Sequence, residues 1–311
     1  MSNDTADIQV TKTKARMARE RKRAMVAYSF IAPNFLGFAI FTLGPIILAF
    51  VMAFTEWDGS NPMKFVGIKN FTELFKNDRF TASLVNTLKY SLFTVPLTLV
   101  CALALAILLN QKIKGRTFFR TVTFFPYVAS LVAVAAVWNM LFTPGKGGLM
   151  NQLLMNVFHV APLKWAASPN TVMLTIILFS IWKNMGYYMV IYLAGLQGIS
   201  EDLYEAASLD GANSWQKFLY VTLPQLKPTT FFVSVMLTIS CFKIYDIVYM
   251  LAGGSNGVVN KSAIVLVFYI YEEAFRNWKL GSASAAALIL FAIVLVITLI
   301  QFRGEKNYAN D

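Results

Sequence analysis

Six long stretches of the chain are almost purely apolar, and polar segments separate them. They cover roughly residues 27–54, 85–109, 121–143, 171–197, 228–251 and 280–302. Each is long enough for a helix of about 20 residues to cross the hydrocarbon core of a bilayer. A backbone in lipid must satisfy its own hydrogen bonds, and a continuous helix does so. The pattern predicts an all-α, polytopic membrane protein with six transmembrane helices. Pro33 and Pro45 fall inside the first stretch, where proline marks a kink rather than an end. A cleaved leader has an apolar core of only about 7 to 15 residues. Met25 to Thr55 is uncharged throughout, so the first stretch reads as a retained span.

The polar segments give the direction. Lys112, Lys114, Arg116 and Arg120 crowd the short turn between the second and third spans. With the basic N-terminus, Arg303 and Lys306, they define the cytoplasmic side. Both termini are then cytoplasmic, and segments 55–84, 144–170 and 252–279 are external. The expected organisation is a basic cytoplasmic arm at 1–24, a six-span domain at 25–302 and a cytoplasmic tail at 303–311. The arm is expected to be disordered to about residue 20. No internal repeat or low-complexity segment stands out.

Composition agrees and excludes several classes. The 311 residues are 57% hydrophobic and 14% charged, against about 25% charged in soluble domains. The net charge of +11 would fit nucleic acid, but seven of the 27 basic residues precede residue 24. The positive-inside rule accounts for them, and no nucleic-acid partner is expected. Cys101 and Cys241 lie in apolar segments without a partner nearby in sequence, so neither a disulfide nor a metal site is expected. The single histidine, His159, falls in an external loop. No G-x-x-x-x-G-K-[ST] loop is present, nor H-E-x-x-H, nor G-x-S-x-G. No cofactor of its own and no catalytic constellation are therefore expected, and the polar inventory suits passage of a solute rather than an enzyme.

The loop at 199–224, after the fourth span, is the most informative polar segment. Ser200 can cap a helix whose first turn holds Glu201 and Asp202. Gly211 can end it in a left-handed conformation. Asn213 can start a second helix with Gln216 as capping-box partner. Leu223-Pro224 ends that helix and starts the next span. Helices this short need a surface to pack on. Ala206 and Ala207 allow close approach of another backbone, and Glu205 offers a carboxylate. From the residues alone, the loop is either a docking module or a connector lying on the membrane surface.

The stretch Gly195–Pro224 resembles the signature loop of permease subunits of binding-protein-dependent ABC importers, of the maltose-type sugar permease family. Glu205, Ala206, Ala207, Asp210, Gly211, Ala212, Leu223 and Pro224 stand in the matching places. The likeness covers nearly all of the chain after residue 25. It includes Trp57-Asp58, Phe65-Val66-Gly67, Asn70-Phe71 and Asn86-Thr87-Leu88. Further on it includes Tyr245-Asp246-Ile247-Val248-Tyr249 with Gly253-Gly254, and Gly281-Ser282-Ala283-Ser284-Ala285. The departures are Ser200, where many relatives have proline, and Ser255-Asn256, in place of a usual Gly-Pro. The chain also looks to be without the extra N-terminal spans and large external domain of some relatives.

The resemblance implies an ABC type I importer permease fold, multi-pass in the cell membrane. It implies a second similar permease, two copies of a cytoplasmic ATPase that uses ATP and Mg, and an extracellular solute-binding protein. The 200–222 loop would couple to the ATPase, and the bundle would work by alternating access on a sugar, expected to be an oligosaccharide. Spans three, four and five of such permeases supply the sugar contacts. Tyr127, Ser180, Asn184, Tyr187, Cys241 and Ile244 lie near the matching positions, with Lys183 and Lys243 among them. Aromatic platforms beside hydrogen-bonding groups suit carbohydrates, although such residues also join helices to one another. Lys243 and Asp246, three apart on a helical span, are expected to neutralise each other. A phosphate-bearing solute such as glycerol-phosphate would instead favour Lys183 and Lys243. A proton-coupled transporter would use Lys243 and Asp246 as a relay; six spans without repeats argue against it.

Overall fold

The computed structural model describes residues 3–253 and 260–308. Helix α1 (Asn3–Phe38) passes through a π-helical turn at Ala39–Leu43 into α2 (Gly44–Ala53). A short antiparallel hairpin then pairs β1 (Thr55–Glu56) with β2 (Lys64–Phe65). The chain continues through α3 (Lys69–Lys76), α4 (Asp78–Asn110), α5 (Arg116–Val128), α6 (Leu131–Leu141), α7 (Leu149–Phe158) and α8 (Val172–Gln197). Next come α9 (Glu201–Leu209), α10 (Ser214–Lys217), a π-helical turn at Phe218–Thr222 and α11 (Leu223–Gln225). The last group is α12 (Lys227–Phe242), α13 (Asp246–Leu251), α14 (Asn260–Ala263), α15 (Leu266–Phe275) and α16 (Leu280–Tyr308). The expected Gly254 and Ser255-Asn256 motif positions lie outside the described residues.

Among the described residues, four helices are long and apolar enough to cross a membrane: Arg19–Ala53, Asp78–Asn110, Val172–Gln197 and Leu280–Gly304. The third expected span is not one straight helix. It is α5 and α6, bent by 101°. Ala129 and Ser130 adopt extended conformations between them, with ψ of 147° and 126°. The fifth is interrupted too. After α12, which has 16 residues, Tyr245 leaves the helical region (φ −142°, ψ −60°) and α13 restarts at Asp246. The arm expected to be disordered is helical from Asn3, in keeping with its Ala, Arg, Lys, Met and Glu content.

The core forms where α4 packs along α8. The buried face of α4 carries Ser83, Thr87, Ser91, Thr94, Thr98, Ala102 and Ala106, three or four residues apart. Small side chains at this spacing let membrane helices approach closely. Opposite them α8 buries Val172, Ile176, Phe179 and Met189. Asn77 starts α4 by accepting hydrogen bonds from the Arg79 and Phe80 N–H groups.

The expected external segments are not plain loops. The motifs noted there tie the ends of the helices together. Asn70 Nδ2 donates to the carbonyls of Ala53 and Thr55, each at 2.9 Å. Val66 N–H donates to Phe54 O, and Gly67 turns at φ +61°. Asn86 Nδ2 donates to the carbonyls of Lys261 and Ile264, and Thr87 Oγ1 accepts from Leu266 N–H. Gly281 is required because a Cβ there would lie 2.0 Å from Thr55 O. The Asp58 carboxyl is held down to about 2 by the N–H groups of Asn61 and Ser60 and the Asn61 amide.

Helix α15 lies in what the sequence reads as an external loop, yet Leu266, Phe268, Tyr269, Glu272, Glu273 and Ala274 are all buried. Glu272, 7% exposed, meets Arg79 at 2.6 Å and Arg276 at 3.7 Å. Replacing Glu272 with Ala strands two guanidinium groups at the α4–α15 junction. The expected loss is about 1–2 kcal/mol, read as a lower thermal midpoint in detergent. An unchanged midpoint would remove this ion pair from the support of the fold.

Candidate functional site

Two regions carry the candidate residues: the loop beyond α8, and the meeting place of α5, α8 and α12.

The loop beyond α8 folds by the local rules its sequence announces. Ser200 Oγ accepts from Asp202 N–H. Asn213 and Gln216 form a reciprocal capping box at α10. Helix α9 closes with a Schellman arrangement: Gly211 N–H donates to Ser208 O at 3.1 Å, and Ala212 N–H donates to Ala207 O at 2.9 Å. Gly211 has φ +79°, where glycine is at ease and other residues are strained.

Side-chain bonds then fasten α9 to the π-helical turn and to α10. The Tyr204 and Thr222 hydroxyls lie 2.9 Å apart. Lys217 Nζ donates to Ser208 Oγ at 2.6 Å. Glu205, Ala206, Asp210 and Gly211 are exposed, Ala207, Ala212 and Pro224 half-buried, and Leu223 exposed. The sequence reading missed the apolar part of this surface. Leu209 is 90% exposed, Tyr220 76% and Trp215 66%. Large apolar side chains in an otherwise polar loop were the available signal. A ridge with acidic groups and bare apolar side chains, on an element with no buried residue of its own, has the makeup of a protein-docking surface.

The second region divides the other candidates. Tyr127 of α5 stacks on Tyr187 of α8, ring centres 4.4 Å apart and planes 16° apart. Tyr188 lies beside them, close to Ser240 and Cys241. Gly186 permits this crossing: a Cβ there would sit 2.0 Å from Thr123 O. Ser180, Cys241 and Ile244, by contrast, are buried in the core. Ser180 and Cys241 both lie against the Tyr90 side chain of α4. Asn184 turns its amide back onto Ser180 O at 2.8 Å, within its own helix.

The two lysines do not behave as read from spacing. Lys243 and Asp246 are both exposed and fall on either side of the break between α12 and α13. Among the described residues they form no ion pair with each other. The spacing argument assumed a helix that is not continuous there. Lys183 Nζ donates to the carbonyls of Pro126 at 2.9 Å, Tyr127 at 3.3 Å and Ala129 at 3.3 Å.

A cavity of about 610 Å³ opens among the β-hairpin, α3 and the α15–α16 turn. Much of its polar lining is already committed. Asp58 is bonded to Ser60 and Asn61, Asn70 to two carbonyls, and Glu273 to Asn277. Cys101 and Cys241 are free thiols. Among the described residues no group of three or more His, Cys, Asp or Glu side chains could hold a metal ion.

Comparison with known proteins gives these surfaces a context. Residues 94–307 match the family model described as binding-protein-dependent transport system inner membrane component. The chain is 38% identical over 292 residues to the probable ABC transporter permease protein YesP of Bacillus subtilis (strain 168), covering 93% of each. It is 34% identical to the arabinooligosaccharides transport system permease protein AraP of the same organism, over 91% of this chain and 90% of that one. It also resembles a chain in the crystal structure of a bacterial alginate ABC transporter in complex with an alginate pentasaccharide-bound periplasmic protein. There the TM-score is 0.79 at 26% identity, covering 91% of this chain and 94% of the other.

Proposed function

Because the chain belongs to the binding-protein-dependent transport system inner membrane components, the multi-pass permease subunits of ABC importers, we propose that it forms half of the pathway of an ATP-driven oligosaccharide importer. The sugar class is inferred from relatives whose names specify arabinooligosaccharides and lactose, and from the alginate transporter. The full assembly comprises this subunit, a second similar permease, two ATP-binding subunits and an extracellular solute-binding protein. The alginate transporter bound to its periplasmic protein supports the last of these.

In this reading the chain crosses the membrane six times with both termini in the cytoplasm. The bent α5–α6 pair is the third crossing, and α12 with α13 the fifth. The arm 1–24 and tail 303–311 flank the transport domain 25–302. The observation that carries the reading is the rigid, capped ridge of α9 and α10 with Leu209 and Trp215 bare. Closure of the ATPases moves this ridge, and the Tyr204–Thr222 bond passes the movement to α11 and α12. The bundle then opens outward to receive the solute. Tyr127 and Tyr187 present an aromatic edge to it, and Lys243 lies on the same route. The phosphate rival keeps only Lys243 of its two cations, and the proton-coupled rival lacks its pair. Lys183 has no donor left for a phosphate, and Lys243 and Asp246 are not joined as a relay.

The test is uptake by the purified complex in proteoliposomes containing ATP, with sugar-loaded binding protein outside. Uptake is expected to require ATP and to survive a protonophore. Glu205→Ala is expected to cut binding-protein-stimulated ATPase about tenfold, the worth of one charge-assisted hydrogen bond. Full stimulation in that variant would take Glu205 out of the coupling surface. Uptake that stops with protonophore alone would overturn the importer reading.

A further inference from the structure

We propose that Lys183 is a positioning residue: it clamps the break in the third span and thereby holds Tyr127 over Tyr187. A helix leaves its last carbonyls without intrahelical partners. In a soluble protein water takes them up, whereas at membrane depth they must be met by protein or by a water-filled cavity. The break after α5 creates such orphans in the middle of an apolar stretch, Pro126, Tyr127 and Ala129 among them.

A lysine ammonium has three donors and no acceptor. Lys183 gives those donors to these three carbonyls. Among the described residues no carboxylate pairs with it. The counter-charge is instead the negative end of the α5 dipole, where a cation is favoured. Its three donors meet three of the four carbonyls that follow the last helical bond of α5, so no donor remains for a solute.

The surrounding geometry makes the clamp specific. Lys183, Gly186 and Tyr187 lie three and four residues apart, on one face of α8. Gly186 admits the Thr123 carbonyl, and Tyr187 stacks on the Tyr127 ring. Lys183 therefore holds Tyr127 by its backbone, while Tyr187 holds it by its ring. Without the clamp, the carbonyls regain helical partners when α5 and α6 straighten, which swings Tyr127 away. The transport consequence rests on the importer reading above; the clamp itself does not.

The experiment uses the full complex in lipid nanodiscs and proteoliposomes. Spin labels replace the exposed Thr121 and Val137 in a Cys101→Ser background. In a straight helix these positions would lie about 24 Å apart, and the bend brings them closer. Lys183→Met is expected to lengthen and broaden the distance, and Lys183→Arg, which keeps the donors, to restore it. Per assembled complex, the Met variant should lose about tenfold in maximal uptake. The half-saturating concentration of loaded binding protein should stay the same, because that protein docks outside. If the Met variant fails to assemble, Lys183→Gln, with two donors, is read in its place. A short, narrow distance without the ammonium would overturn the clamp. A lengthened distance with full uptake would overturn its role in transport. Absence of ATP-dependent uptake in the unsubstituted complex would count against the importer reading alone, since the label distance is measured independently of it.

Discussion

Gly211→Pro is expected to uncouple the transporter, cutting binding-protein-stimulated ATPase by about thirtyfold or more with the complex still assembled. Gly211 sits at φ +79°, whereas a proline ring fixes φ near −65°. The substitution also deletes the N–H that donates to Ser208 O. Both closing bonds of α9 are lost, since Ala212 can no longer return to Ala207 O. The ridge then loses the angle between α9 and α10 on which Lys217 and Ser208 depend. Gly211→Asn is the control. Asparagine tolerates the left-handed conformation, so stimulation should fall by no more than about threefold, in line with a cost of several tenths of a kcal/mol. Full stimulation in the proline variant would separate this turn from coupling.

The second large effect belongs to Gly186. A Cβ added there meets only backbone: Thr123 O at 2.0 Å, Thr123 C at 2.7 Å and Phe124 Cα at 3.0 Å. No rotamer change relieves that contact. To reach ordinary contact at 3.4 Å, α5 must retreat from α8 by about 1.4 Å. The Tyr127–Tyr187 stack and the Lys183 bonds lie within one turn and would open with it. Gly186→Ala should therefore cost about 3 kcal/mol, the upper end for overpacking, and lower uptake more than tenfold. Gly37→Ala is the contrast, because nothing lies within 4 Å of a Cβ there. Equal thermal midpoints for the two variants would refute the close crossing.

What could be read in the sequence follows the range of the forces involved. The ends of α9 and α10 were legible because Ser200, Gly211, Asn213 and Gln216 act over two or three residues. The apolar stretches were legible because their length answers to the thickness of a bilayer. The break at Ala129–Ser130 was not. Its carbonyls are taken up by Lys183, more than fifty residues onward, and Pro126 alone is compatible with a continuous membrane helix. Helix α15 was hidden for the same reason. Segment 252–279 reads as an external loop, while one partner that buries Glu272 is Arg79, 193 residues away. The Lys243–Asp246 pairing failed because spacing carries meaning only along an unbroken helix. Of the solute-pathway candidates, Tyr127 and Lys243 are exposed and Tyr187 half-buried, whereas Ser180, Cys241 and Ile244 are buried.

The helical stretch Arg19–Ala53 buries none of its apolar window against the rest of the chain, whereas nearly half of the corresponding window in α8 is covered. A backbone closed on itself and wrapped in oily side chains needs no neighbour to be stable in lipid. A stretch of this length and composition can hold its place in lipid by itself. Helix α8 is the least apolar of the four long helices and must find company to stay. One of these helices thus depends on the lipid alone, the other on its neighbours.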